Sequence, residues 1–107
     1  MPNNYKNAKV DLTTTNATVL YTCPSATTTT IKSILVSEDS GGADTITVTI
    51  TDADADVFSL FKVKAIGANG TVELLTQPLV LTEDEIIKVT AATANRLHVV
   101  ASLLEIN

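Results

Sequence analysis

The chain has 107 residues, 45% of them hydrophobic but only 4% aromatic, with no Trp and a formal charge of −5. That length holds a single domain. The acidic balance, with cations scattered singly or in near pairs such as Lys62 and Lys64, argues against a nucleic-acid surface, which needs clustered positive charge. No apolar run approaches the ~20 residues of a membrane helix, and one cysteine, Cys23, excludes an internal disulfide.

Thr recurs through every part of the chain, and much of the apolar mass is Val, Ile and Leu. Branching at Cβ costs rotamer freedom in a helix and suits a pleated strand, so the composition predicts an all-β fold. The polar start Met1-Pro2-Asn3-Asn4-Tyr5-Lys6 carries no export signal, which predicts synthesis in a cytoplasm. Residues 1–7 read as an N-terminal arm that lies on a neighbour in an assembly, ahead of a β domain over 8–107.

Ala8 to Leu12 is a short first strand, and Asn16 to Thr22 a second, with Val19 and Tyr21 on one face and Leu20 opposite. Cys23-Pro24-Ser25 stops it, since Pro removes a ladder donor. The Thr tract 26–30 is an extended connection or an edge strand. Ile31 to Ser37 is a strand with Ile31, Ser33 and Leu35 facing one way and Lys32, Ile34 and Val36 the other. The acidic double-glycine stretch Glu38 to Asp44 reads as a hairpin turn. Thr45 to Thr51 alternates without error, its Ile/Val face buried and its Thr face outward. After the turn Asp52 to Asp56, Val57 to Ile66 is another long strand. Gly67-Ala68-Asn69-Gly70 is a third turn, its Asn-Gly suited to positive φ.

The final third carries short runs at Gly70–Leu75, Gln77–Leu81, Glu85–Thr90 and Arg96–Ile106. Thr82 to Glu85 has the spacing of a capped helical turn, and Ala91 to Asn95 that of a hairpin loop. The last run is apolar on both faces: Leu97, Val99, Ala101 and Leu103 on one, Val100, Leu104 and Ile106 on the other. It therefore lies centrally, its outer face covered by a second layer or by another copy. Val100→Asp is then expected to abolish folding or assembly. Seven to nine short strands with regular turns predict a single-domain antiparallel β-sandwich of jelly-roll type.

Catalytic chemistry finds little support. Asp52, Asp54 and Asp56 are spaced like the start of a calcium loop, but Val57 and Val63 stand where that loop needs Gly and a bidentate Glu. A solvated turn is the better reading, and no metal or cofactor is implied. His98, the only histidine, has no local nucleophile or orienting acid and reads as a partly buried or interface residue. Cys23 reads as a small buried hydrophobe. Glu83, Asp84 and Glu85 are adjacent acids in a turn, whereas catalysis wants a desolvated carboxylate. An enzyme is not expected.

Several stretches together carry a resemblance. They are Tyr21-Thr22-Cys23-Pro24, the Thr tract running into Ile31-Lys32-Ser33-Ile34, the acidic glycine loop and the strand 45–51. Gly70-Thr71-Val72-Glu73-Leu74-Leu75, Pro78-Leu79-Val80-Leu81 and the last strand from Leu97 complete them. This pattern resembles small virion proteins of tailed bacteriophages, notably those infecting marine bacteria and cyanobacteria, over nearly the whole chain from about residue 5. The resemblance implies a structural protein of the particle. A capsid decoration (cement) protein bound to the major capsid protein is expected, as a homotrimer or another cyclic oligomer. A neck, tail or fibre-adaptor subunit is the alternative. The expected contacts are Asn3, Tyr5 and Lys6 of the arm with His98, Val100, Leu104 and Ile106 of the last strand. A carbohydrate-binding sandwich is a reading of another class, weakened by having only Tyr5, Tyr21, Phe58 and Phe61 as aromatics.

Overall fold

The computed structural model describes residues 3–107, all of whose regular elements are strands. They are β1 (Asn3–Asp11), β2 (Thr18–Thr22), β3 (Thr28–Glu38), β4 (Asp44–Thr51), β5 (Val57–Ile66), β6 (Thr71–Glu73), β7 (Leu79–Leu81), β8 (Ile86–Ala91) and β9 (Leu97–Ile106). One sheet runs β1-β9-β3, with β6 and β7 sharing the far edge of β3; the other runs β2-β8-β4-β5. Every pairing is antiparallel. Strand pairs nest around the β4–β5 hairpin: β3 with β6 and β7, then β2 with β8, then β1 with β9. This is one long hairpin rolled into two layers, the jelly-roll order, with its sixth position broken into β6 and β7.

The core lies between the sheets. Ile34, Val36, Val99 and Ala101 from one layer join Ile46, Val48, Ile87 and Val89 from the other in a single buried cluster. Cys23 is fully buried at one end, where its thiol donates to the carbonyl of Thr27 at 3.3 Å.

Strict alternation fails at three places, each a β-bulge. An extra residue in one strand shifts the register and turns the side chains that follow. In β2 the shift falls between Val19 and Tyr21, so Leu20 and Tyr21 both lean inward and Val19 is exposed. In β3 it falls at Lys32, so Ile31 and Ile34 both reach the core while Leu35 faces out. The β5 pairing shifts twice, which brings Leu60 and Phe61 together against the core. There Val63 takes a φ of 53°, rare for a β-branched residue, and its N–H donates to Thr47 Oγ1 at 3.1 Å.

Four other sequence expectations change. Residues 3–7 belong to β1 rather than to an arm: Asn3 pairs with Ile106 and Asn7 with Ser102. Met1 and Pro2 lie outside the described residues. The Glu38–Asp44 and Ala91–Asn95 connections are crossings between the sheets, not hairpins, because β3 and β9 lie in one layer and β4 and β8 in the other. Thr82–Glu85 keeps one bond of a capping box, Thr82 N donating to Glu85 Oε1 at 2.7 Å, but Glu85 N donates to the Thr82 main-chain carbonyl at 3.1 Å, the bond of a β-turn. Asp84 at φ 67° turns the chain out of a helix, and the segment is a plain turn. Among the described residues, none forms a layer over the outer face of β9.

Two carboxylates hold the crossings. Asp44 accepts from Thr45 N at 2.8 Å and Thr93 N at 3.1 Å. Glu38, buried at the end of β3, accepts from the Ser40 hydroxyl, from Asn69 N at 2.9 Å, from Ser40 N at 2.8 Å and from Gly41 N at 3.2 Å. These donors, the Ser40 hydroxyl foremost, outweigh burial and lower its pKa from 4.5 to about 2. A carboxyl depressed in the folded state contributes stability above its unfolded pKa and loses it as pH falls. Stability to urea is therefore expected to decline as pH drops from about 4.5 towards 2. Glu38→Gln is expected to be less stable at neutral pH and to flatten part of that decline. An unchanged slope in the variant would remove Glu38 from the acid response.

Candidate interaction surface

Directly opposed residues in an antiparallel pair point to the same side, so the registers define the outer face of the first sheet row by row. One row is Asp11, His98, Ser37 and Thr71. The next is Lys9, Val100, Leu35 and Glu73. Asn7, Ser102 and Ser33 follow, then Tyr5, Leu104, Thr30 and Val80. Asn3, Ile106 and Thr28 close the face.

Of the residues expected at an interface, Asn3, Tyr5, His98, Val100, Leu104 and Ile106 fall on this face. Lys6 does not. It lies on the opposite, core-facing side of the sheet at its edge, half exposed, and its Nζ lies 2.9 Å from Oε1 of Glu105, which is buried. The Tyr21 hydroxyl donates to Glu105 Oε2 at 2.5 Å and stands 2.8 Å from Thr29 Oγ1. The Tyr21 hydrogen bond and then Lys6 hold the Glu105 carboxyl below its ordinary range. Burial first, and then that carboxylate, push the Tyr21 phenol up. Lys6 thus ties β1 to the interior.

Leu35 (41% exposed) and Val80 (55% exposed) belong to the face, though the sequence did not single them out. Leu35 is hidden in the sequence by the Lys32 bulge, and Val80 sits in an unbroken apolar run. Lys32, the extra residue, reaches across to β1, its Nζ 5.6 Å from the centre of the Tyr5 ring. At the other end the His98 ring lies between two carboxylates, Nε2 3.2 Å from Asp11 and Nδ1 3.4 Å from Asp39. The face is therefore apolar at its Tyr5 and Val100 rows and charged at its margins.

The sheet edges differ in kind. β6 and β7 are three residues each. β5 carries bulges with Lys62 and Lys64, β2 a bulge, and β1 the inward-pointing Lys6. Short strands, bulges and edge charges oppose strand addition at the sheet edges.

Glu73 serves the fold as well. Its carboxylate accepts from Ile34 N at 2.9 Å, from Leu75 N at 3.1 Å and from the Ser33 hydroxyl, filling the gap between β6 and β7. Burial raises its pKa, but these three donors together prevail and lower it. Asp52, Asp54 and Asp56 converge in the β4–β5 turn, with carboxylate oxygens within 4.8 Å of one another. Asp52 Oδ1 is engaged by Asp54 N at 3.0 Å and Asp56 N at 2.9 Å, as in a self-capped turn. The chain matches no protein-family model, and no curated protein matches it.

Proposed function

We propose that the chain is a non-enzymatic structural protein of a tailed-phage particle. Its role is that of a capsid decoration protein, stabilising the shell by burying surface across neighbouring subunits. The observation that carries this reading is the exposed outer face of β1, β9 and β3, a partly apolar sheet surface that no layer of the described residues covers. Large side chains left in water on one contiguous face favour association. Binding that exists only in the assembled shell stabilises it by mass action and needs no reactive group. The partner is the major capsid protein or another virion protein, and the resemblance to small virion proteins supplies the location. A neck, tail or fibre-adaptor subunit is the second reading, since the same face would serve there. A sugar site is disfavoured because the most exposed aromatic ring, Tyr5, stands beside the Lys32 ammonium rather than open as a stacking platform.

Imaging of particles carrying a label on Asn107 tests this. That residue follows the end of β9 and is exposed. Label spread over the icosahedral shell is expected. Label at one vertex or along the tail would replace decoration with the adaptor role, and particles without label would overturn both.

A further inference from the structure

We infer that the outer face of the first sheet pairs with the same face of a second copy, about a two-fold axis that runs parallel to the strands between β9 and β3. This rests on reading the face as an association surface; it names a second copy of the chain, rather than the major capsid protein, as the virion protein that occupies it.

The argument is the order of residues within each row. A two-fold axis along the strands keeps each row at its own height and reverses it, setting β1 over β6 and β7 of the mate and β9 over β3. The row Lys9, Val100, Leu35, Glu73 then meets its own reverse. Lys9 lies over Glu73 of the second copy, and Val100 over Leu35. In the apolar row Tyr5 lies over Val80, and Leu104 over Thr30. Asp11 and His98 meet Thr71 and Ser37, and Ser102 meets Ser33. Apolar groups meet apolar or Thr side chains, and each charge at the margin meets an opposite charge or a hydroxyl. An isologous contact needs such self-complementarity, and aligned packing of two sheets supplies the geometry.

The other in-plane axis, across the strands, fails the same test. It keeps each strand over itself and exchanges the Lys9 row with the Tyr5 row, leaving Glu73 over Val80 with no cation to meet. Lys32 does not oppose the first arrangement. Its ammonium is drawn towards the Tyr5 ring on β1. With strands about 4.8 Å apart, two such ammonium groups fall on opposite margins, roughly 14 Å from each other. That exceeds the ~8 Å Debye length at physiological salt.

Sedimentation equilibrium of the isolated chain up to about 100 µM is expected to show a dimer. Leu35→Asp and Lys9→Glu are each expected to raise its dissociation constant at least about tenfold, with circular dichroism unchanged. Orientation is read by cross-linking at the margins of the face: Tyr5→Cys mixed with Val80→Cys, treated with a short bis-maleimide, is expected to give more linked dimer than either variant alone. A monomer or a trimer overturns the two-fold pairing. So does a dimer indifferent to Leu35→Asp, or one in which Tyr5→Cys alone links best. If the chain is monomeric but Leu35→Asp abolishes its binding to particles, the pairing is overturned while the association reading stands; if particle binding is also unaffected, both fall.

Discussion

Val99→Asp is expected to unfold the protein, whereas the same substitution one residue later, Val100→Asp, leaves the monomer folded. Val99 is completely buried between the sheets, and its neighbour, on the opposite face of β9, is 38% exposed. An uncompensated carboxylate at the Val99 position meets only the hydrocarbon of the core cluster. Such a charge costs about 3–5 kcal/mol, a large part of the ~5–15 kcal/mol that holds a domain together. At Val100 the carboxylate stays in water, and the change in monomer stability is expected within about 0.5 kcal/mol. Far-UV circular dichroism and urea unfolding at low concentration distinguish the two. A folded Val99→Asp, or an unfolded Val100→Asp, would reverse the assignment of the faces. The two faces of the last strand thus differ: one builds the core, and the other, with Val100, meets solvent.

The second large effect concerns Glu105. Its buried carboxylate joins Lys6 of β1 to Tyr21 of β2, so one side chain fastens the first strand to both sheets. Glu105→Ala leaves the Tyr21 hydroxyl with Thr29 alone and strips Lys6 of its partner. The expected loss is about 3 kcal/mol, or a fall of roughly 15 °C in Tm. Tyr21→Phe is expected to be damaging as well, since it removes the donor that most strongly holds Glu105 ionised. If the bond is the shared cause, the double variant costs at least ~1 kcal/mol less than the sum of the singles. Strict additivity would show that the two residues act separately.

Strand existence was legible in the sequence because alternation and turn residues are local signals. Thr45–Thr51 and Val57–Ile66 end within a residue of β4 and β5. The positive φ of Asn69 follows from its Asn-Gly context. Which strands pair was not legible. Glu38–Asp44 has the residues of a hairpin yet crosses between layers, because the destination of β4 depends on β8, far along the chain. Side-chain direction failed wherever a bulge intervened: the extra residue Lys32 put Ile31 on the same face as Ile34 and Val36 and left Leu35 outside, so the outer face was only half legible. Lys6 was expected at an interface as part of the arm. Its inward turn depends on Glu105, a partner nearly the whole chain away.

The nested pairing has a mechanical consequence. The first described residue and the last strand residue, Asn3 and Ile106, are opposed on adjacent antiparallel strands. Tension applied through the two ends would therefore load that pair first and part β1 from β9 bond by bond, like a zipper, rather than shear all their hydrogen bonds at once. A subunit of this build resists load through the flat of its sheet and yields readily when drawn apart by its termini. In an assembly under internal pressure, its contacts would have to be made by the face and not by the ends.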